Sequence, residues 1–282
     1  MSTANPVVAA LQMRTGADVA ENLAQARGLL EDAARAKAVL AVLLENFAFM
    51  GAKETDKLSV AEPQGEGAIQ SFLATQARRL GLWIVGGTLP MAVPERKDKV
   101  WAASLMYSPE GKLAAHYDKV HLFDVEVARE DGVDRYRESA TIEQGDIRFV
   151  TQDTPAGRVG MTVCYDLRYP ELYRRLSRDL AEIIVVPSAF TQRTGEAHWE
   201  PLLRARAIEN QCFIIAPNQH GQHPGGRKTY GHSCIIDPWG TVIAERAEGV
   251  GIVTATLRRE QLFNLRRTFP VLTHRRIVYD RT

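Results

Sequence analysis

Short apolar runs alternate with helical patterns along the whole chain, and this alternation restricts the fold more than any other feature. Residues 39–44 (VLAVLL) are apolar at every position, which predicts a strand covered on both of its faces. Residues 18–36, just before it, repeat apolar side chains at helical spacing, which predicts an amphipathic helix. A helix followed by a doubly covered strand favours an α/β fold.

The second half of the chain repeats the order found in the first half. A helical pattern leads into a short apolar run in each half: 69–80 into 83–86, and 198–210 into 212–216. We therefore predict two similar halves whose sheets pack face to face with helices outside, a four-layer αββα sandwich. Since no Pro/Ser-rich linker divides the chain, we expect residues 1–282 to form a single domain. Residues 120–144 are polar and lack periodicity, and a loop of that length is usually functional.

Charge and cysteine content exclude several classes of protein. Lys and Arg number 35 against 34 Asp and Glu, so no global field attracts nucleic acid or an anionic membrane. Residues 1–6 lack the basic start of a signal peptide, and the longest apolar run, 38–44, is far too short to span a bilayer. Three cysteines in so long a chain exclude a disulfide scaffold. We expect a reducing, cytoplasmic location.

Three reactive side chains stand directly after predicted strands, where α/β sheets carry their ligands. Cys164 follows the run 159–163 and precedes a predicted helix, so we expect its thiol to be exposed at a turn and stabilised as the thiolate. Glu45 ends the apolar strand, where a carboxylate can act as a general base. Lys119 follows another strand, where its charge can stabilise a thiolate or an oxyanion. Taken singly, each also fits a plainer role: a core cysteine, a solvated acid and a surface lysine.

Taken together, these residues and their surroundings resemble the nitrilase superfamily of carbon–nitrogen hydrolases over nearly the whole chain. The matching stretches are 43–46 (LLEN), 117–123 (YDKVHLF), 163–172 (VCYDLRYPEL) and 187–190 (PSAF). The resemblance implies the αββα fold, with Glu45 as general base, Lys119 at the oxyanion and Cys164 as nucleophile. It further implies that Glu138 is a second glutamate that positions Lys119 and Glu45, although the loop before it, 125–137, is longer than the family pattern.

Further stretches resemble one branch of that superfamily, the deaminated glutathione amidases. They are 188–191 (SAFT), 194–200 (TGEAHWE), 203–209 (LRARAIE), 230–233 (YGHS) and 237–241 (DPWGT). The resemblance implies hydrolysis of deaminated glutathione to 2-oxoglutarate and Cys-Gly through a thioester, without a cofactor. The candidate substrate-binding residues are Tyr165, whose backbone N–H joins the oxyanion site, Arg168, which suits a substrate carboxylate, and Thr194.

Several alternatives remain open at the level of sequence. The ω-amidases share part of the same motifs, an N-carbamoyl or nitrile hydrolase would use the same nucleophile, and a silent binding protein could keep the fold. The group His220, His223, His232 and Cys234 matches no structural zinc spacing, so we predict no metal.

The C-terminal segment predicts an assembly. Residues 263–282 alternate arginines with large apolar side chains, a mixture more typical of a strap packed on the body or on a second subunit than of a nucleic-acid site. We expect no further helix after the last strand. The protein is therefore expected to be a homodimer or a higher homo-oligomer, a state that the family resemblance also implies.

Overall fold

The computed structural model describes residues 5–129 and 132–277. Its helices are α1 (Val19–Arg35), α2 (Ala68–Leu80), α3 (Pro170–Arg178), α4 (Gln192–Asn210) and α5 (Arg259–Thr268). Its strands are β1 (Val7–Gln12), β2 (Ala38–Leu43), β3 (Trp83–Gly86), β4 (Leu89–Val93), β5 (Arg96–Tyr107), β6 (Leu113–Asp118), β7 (Asp124–Arg129), β8 (Gly132–Arg137), β9 (Thr151–Thr154), β10 (Gly157–Met161), β11 (Ile183–Val185), β12 (Phe213–Ala216), β13 (His220–Gln222), β14 (Lys228–Tyr230), β15 (Ser233–Ile236), β16 (Val242–Arg246) and β17 (Gly251–Thr256). Short 3₁₀ segments include Glu138–Ala140, Cys164–Arg168 and Pro224–Gly226.

Most strands belong to one of two mixed sheets. The first is a 7-stranded sheet in the order β17-β1-β2-β3-β5-β4, with β6 paired to β5. The second is a 6-stranded sheet in the order β16-β15-β12-β11-β10-β9. Each contains three neighbouring parallel strands, β1-β2-β3 and β10-β11-β12. A helix leads into the last parallel strand of each set, α2 into β3 and α4 into β12, so the predicted repeat of the two halves is present.

The side chains of β2 show how the layers are built. Leu40 points into the core between the sheets, where it belongs to the same buried cluster as Val159 of β10. Leu43 points to the opposite face and packs in a cluster with Leu30 of α1 and Leu73 of α2. Helices α3 and α4 cover the second sheet in the same way. The fold is the four-layer αββα sandwich expected from a strand that is apolar on both faces.

Two segments differ from the sequence expectation. Residues 120–144, expected to be a loop, contain the antiparallel hairpin β7–β8. Its described side chains are exposed or half-buried, so no buried face imposes the apolar alternation that identifies a strand.

Helix α4 begins at Gln192 rather than at 198, because Thr191 caps it by accepting from the Thr194 N–H. A glycine inside a helix usually lowers its stability. At position 195 glycine is nevertheless needed, because a Cβ there would collide with the side chain of Tyr230.

The C-terminal segment also differs, because it begins with helix α5. The Arg266 guanidinium donates to the backbone carbonyls of Gln211 and Ala181, at 2.8 and 2.6 Å. The Gln211 amide in turn donates to the carbonyl of Phe269 at 2.7 Å. The described part of the strap therefore packs on its own subunit, while residues 278–282 lie outside the described residues. None of the described helices is long and apolar enough to cross a membrane.

Candidate active site

The four residues predicted to act in catalysis lie together where the strands end. Glu45 follows β2, Lys119 follows β6, Glu138 follows β8, and Cys164 comes shortly after β10. The Lys119 ammonium donates to Glu45 Oε1 at 2.7 Å and to both carboxylate oxygens of Glu138 at 2.8 Å. All four line a cavity of about 280 Å³. Two sheets and the β7–β8 hairpin therefore contribute to one group of reactive side chains.

Lys119 is a permanent cation in this group. Burial disfavours its charged form, but Glu138 and Glu45 outweigh that cost and raise the pKa of Lys119 well above its ordinary value. Burial likewise disfavours the charged form of Glu138, but Lys119 and then Lys57 lower its pKa below the usual range. The ion pair of Lys119 and Glu138 therefore stays charged at neutral pH.

Cys164 is less accessible than the sequence suggested. It is 8% exposed instead of standing free at a turn, because the chain folds back so that its N–H donates to the carbonyl of Pro187 at 2.9 Å. Its φ of 45° is a left-handed conformation, which is costly for a residue with a side chain and is concentrated at functional sites. The sulfur faces Glu45, Lys119 and the backbone N–H of Ala189.

The expected thiolate is wrong for the resting site. Burial, followed by the charge of Glu45, raises the pKa of the Cys164 thiol well above its ordinary value, and Lys119 and the Ala189 N–H offset only part of that rise. The short 3₁₀ turn that starts at Cys164 does not overcome it. The cysteine therefore rests as a thiol beside a carboxylate, so its proton must leave as it attacks.

Sequence reasoning missed Asp166, which joins the lysine and cysteine segments. Its buried carboxylate accepts from the Tyr117 hydroxyl at 2.7 Å, from His121 Nδ1 at 2.7 Å and from the Val163 N–H at 2.8 Å. A usable signal was present, since Tyr117, Lys119 and His121 alternate and so point to one side of an extended chain. Only the fold shows that Asp166 is the shared partner of Tyr117 and His121, whereas Lys119 pairs with Glu45 and Glu138.

Sequence reasoning also missed the residues that hold Glu45, the candidate general base, in place. Gln219, in the segment between β12 and β13, donates through its amide to the carbonyl of Glu45 at 3.0 Å and to the Thr15 hydroxyl at 2.6 Å. Gly87, with φ of 51°, lies so close that a Cβ there would come within 1.9 Å of the Leu44 carbonyl oxygen. The strand end that carries Glu45 is thus held from both sides.

The three candidate substrate-binding residues all line the cavity. The Arg168 guanidinium lies 5.7 Å from the ring centroid of Tyr165 and 5.5 Å from that of Phe190. Its Nη1 is 3.3 Å from Nδ1 of His198. The Thr194 hydroxyl is 2.8 Å from the hydroxyl of Thr191. Arg168 thus offers a positive charge in the wall of the cavity, whereas the Thr194 hydroxyl is shared with a helix cap.

The histidine group considered for zinc is not assembled. Across residues 5–129 and 132–277, no three His, Cys, Asp or Glu side chains are grouped to hold a metal ion. His223 instead contacts the carbonyl of Thr15 at 2.9 Å and the hydroxyl of Thr229 at 2.7 Å. These contacts give it a structural role.

Comparison with known proteins agrees with this geometry. The carbon-nitrogen hydrolase family model matches residues 7–267. A deaminated glutathione amidase of Yersinia enterocolitica is 42% identical over 274 residues, which is 97% of this chain and 94% of that protein. The deaminated glutathione amidase of Homo sapiens is 40% identical over 273 residues, covering 96% and 82%. The crystal structure of Saccharomyces cerevisiae Nit3, a member of branch 10 of the nitrilase superfamily, is 30% identical with a TM-score of 0.86 and covers 98% of this chain and 99% of that one. The αββα sandwich brings a cysteine, a lysine and two glutamates to one cavity, and the family model covers nearly the whole chain. The chain therefore belongs to the carbon–nitrogen hydrolase family.

Proposed function

We propose that the protein is a cysteine-dependent amidase that hydrolyses deaminated glutathione to 2-oxoglutarate and Cys-Gly through a thioester acyl-enzyme. The observation that carries this proposal is the contact of Lys119 with both Glu45 and Glu138 beside the Cys164 thiol. Membership of the family makes the protein an amide-hydrolysing enzyme. The name shared by relatives at 40% and 42% identity supports the choice of substrate.

Acylation uses the resting thiol directly. Glu45 accepts the proton of Cys164 while the sulfur attacks the carbonyl carbon of the amide. Lys119 and the backbone N–H of Tyr165 stabilise the oxyanion that forms. Glu45 then gives its proton to the amide nitrogen as the C–N bond breaks, Cys-Gly leaves with a neutral amine, and the 2-oxoglutaryl group stays on sulfur as a thioester.

Deacylation reuses the same base. Glu45 takes a proton from water while the water oxygen attacks the thioester carbonyl, and the proton returns to sulfur as the C–S bond breaks. Glu138 remains ionised, because its pKa lies below the usual range, and it holds Lys119 in place throughout. Every step is a proton or an acyl transfer, so the proposed reaction needs no cofactor.

Substrate recognition is assigned to the wall next to the nucleophile. Arg168 binds the 2-oxo acid carboxylate on the acyl side of the amide, because a guanidinium suits a planar carboxylate. Thr194 and the ring of Tyr165 shape the same part of the cavity.

A substrate panel tests this function. Purified protein is assayed on deaminated glutathione, 2-oxoglutaramate, an N-carbamoyl amino acid and a short nitrile, with Cys164→Ala as the matched control. We expect deaminated glutathione to give the highest kcat/KM and Cys164→Ala to be inactive on every compound. A tenfold preference for 2-oxoglutaramate would instead make the protein an ω-amidase, and preference for either of the last two would make it a hydrolase of that type. Absence of turnover on all four would favour the silent binding protein.

The remaining part of the proposal concerns assembly and location. We infer that residues 1–282 act as one catalytic domain and that it forms a homodimer in the cytoplasm. The supporting observation for the dimer is a pair of adjacent exposed rings, Trp239 at 67% and Phe269 at 53%, with centroids 6.2 Å apart. Cys164, Cys212 and Cys234 are all free thiols, which suits a reducing compartment.

A further inference from the structure

We propose that Arg227 binds the carboxylate on the leaving-group side of the substrate and so selects amides whose amine product carries an acid. This inference rests on the proposed function. Deaminated glutathione has a carboxylate on each side of its scissile amide: the 2-oxo acid on the acyl side and the terminal glycine on the leaving side. Arg168 accounts for the first, and the second requires another cation in the same cavity.

The charge of the cavity suits a substrate with two negative charges. Lys119, Glu45 and Glu138 form a closed network among themselves. The other charged side chains that line the described cavity are one acid, Glu54, and the cations Lys53, Lys57, Arg135, Arg137, Arg168 and Arg227. Such an excess of one sign attracts and retains a ligand of the opposite sign.

Arg227 is anchored close to the nucleophile. It stands between the Pro224–Gly226 turn and β14, and its Nη2 donates to the carbonyl of Ala189 at 3.0 Å. The N–H of Ala189 faces the sulfur of Cys164. The guanidinium also lies 5.5 Å from the ring centroid of Tyr136, on the β7–β8 hairpin. Both contacts limit its freedom, so little entropy is lost when it binds an anion.

The donors of Arg227 are incompletely used. Its Nε is buried and has no hydrogen-bond partner among the residues that the structure describes. Its Nη1 is 4.0 Å from Glu54 Oε1, which is too long for a hydrogen bond. A buried N–H without a partner is costly, and a carboxylate is the group that a guanidinium binds best.

Other cations of the cavity already have acidic partners. Lys57 lies 2.7 Å from Glu54 and Arg135 lies 3.0 Å from Glu126. Arg227 therefore combines a fixed position, an unused buried donor and closeness to Cys164 in a way that these two do not.

The test compares two substrates that differ only in the second carboxylate: deaminated glutathione and the same molecule with its terminal glycine as the amide. We expect the wild-type protein to show a kcat/KM at least about tenfold lower on the amide form, mainly through KM, because the lost contact serves binding. Arg227→Gln should lower kcat/KM on deaminated glutathione to the level of the amide form and change the amide form by less than about threefold.

Two further variants make the result specific. Arg148→Gln removes an equal charge from an arginine whose side chain is 73% exposed outside the cavity lining, and it should leave both substrates unchanged. Arg227→Lys keeps the charge but not the paired N–H donors, so it should show an intermediate, still selective loss. It also replaces Arg227→Gln in the comparison if the latter fails to fold.

The proposal is overturned if the wild-type protein hydrolyses both forms equally, or if the Arg227 variants still distinguish them as strongly as the wild type. An equal loss on both substrates by folded Arg227 variants overturns it as well, because the arginine would then serve the site as a whole. A wild-type protein that hydrolyses neither form contradicts the proposed function itself, and this inference with it.

Discussion

At the scale of single residues, the proposed mechanism depends on one proton that passes from Cys164 to Glu45. The thiol is held protonated by burial and by the neighbouring carboxylate, and the same carboxylate is the group placed to remove the proton. Lys119 supplies a fixed positive charge beside both. In the proposed mechanism, the thiol therefore stays unreactive until a substrate carbonyl is in position.

This arrangement predicts opposite effects of Glu45→Gln on two readouts. The Glu45 charge raises the pKa of Cys164, so its removal should lower that pKa, although burial still keeps it above the ordinary value. The rate of Cys164 alkylation by iodoacetamide, followed against pH by peptide mass spectrometry, should therefore rise at lower pH than in the wild type. Turnover should fall by about 10³-fold or more, because the general base is lost.

Cys212 and Cys234 serve as internal controls, since both are buried within apolar core and should label slowly in either protein. An alkylation profile that stays in place, or moves to higher pH, would show that Glu45 does not control the thiol proton.

At the scale of elements, local patterns identified what lies within one strand or helix and missed what joins two of them. The doubly apolar run of β2 was recognisable because both of its faces are buried. The β7–β8 hairpin was not, because its two strands pair with each other and its described side chains are exposed or half-buried. The group around Asp166 joins residues up to 49 positions apart, and nothing in a local window reveals such a contact.

Asp166→Asn should therefore destabilise the protein and impair catalysis together. An amide cannot accept from Tyr117, His121 and Val163 as the carboxylate does, so at least one buried donor loses its partner. We expect a loss of about 3 kcal/mol in the free energy of unfolding, measured by urea denaturation, with a lower kcat because the lysine and cysteine segments are no longer held together.

Asp153→Asn is the matched control for Asp166→Asn. Its side chain is 71% exposed and pairs with Arg158 at the surface, so its effect should stay within about 0.5 kcal/mol. Equal stability of the two variants would contradict the role given to Asp166.

At the scale of the whole molecule, the sequence sufficed for the layer order, because a strand that is apolar on both faces needs a layer on each side. It also named Glu45, Lys119, Glu138 and Cys164, which the structure brings to one cavity. Glu138 was named only through the family resemblance. The burial of Cys164, the hairpin that carries Glu138, and helix α5 depend on contacts between distant segments, which motifs do not specify.

A further prediction for the whole molecule is that the protein forms a dimer. Sedimentation velocity at micromolar concentration should show a dimer, and replacing Trp239 and Phe269 together by glutamate should shift it towards monomer, because charge is poorly tolerated in an interface core. Ile147→Glu, which alters a side chain that is 77% exposed elsewhere, should leave the dimer intact. A wild-type protein that sediments as a monomer would contradict the dimer. A dimer insensitive to the double change would show that these two rings do not lie in its interface.

The central claim is that Cys164 carries the acyl group of the substrate, and trapping that group tests it most directly. Wild-type protein turning over deaminated glutathione is quenched in acid, and the peptide containing Cys164 is weighed by mass spectrometry, with hydroxylamine added in parallel to intercept the thioester. We predict a 2-oxoglutaryl adduct on Cys164, or its hydroxamate in the hydroxylamine sample, and neither in Cys164→Ala. Release of Cys-Gly at the full rate with no adduct and no hydroxamate would contradict covalent catalysis by this cysteine.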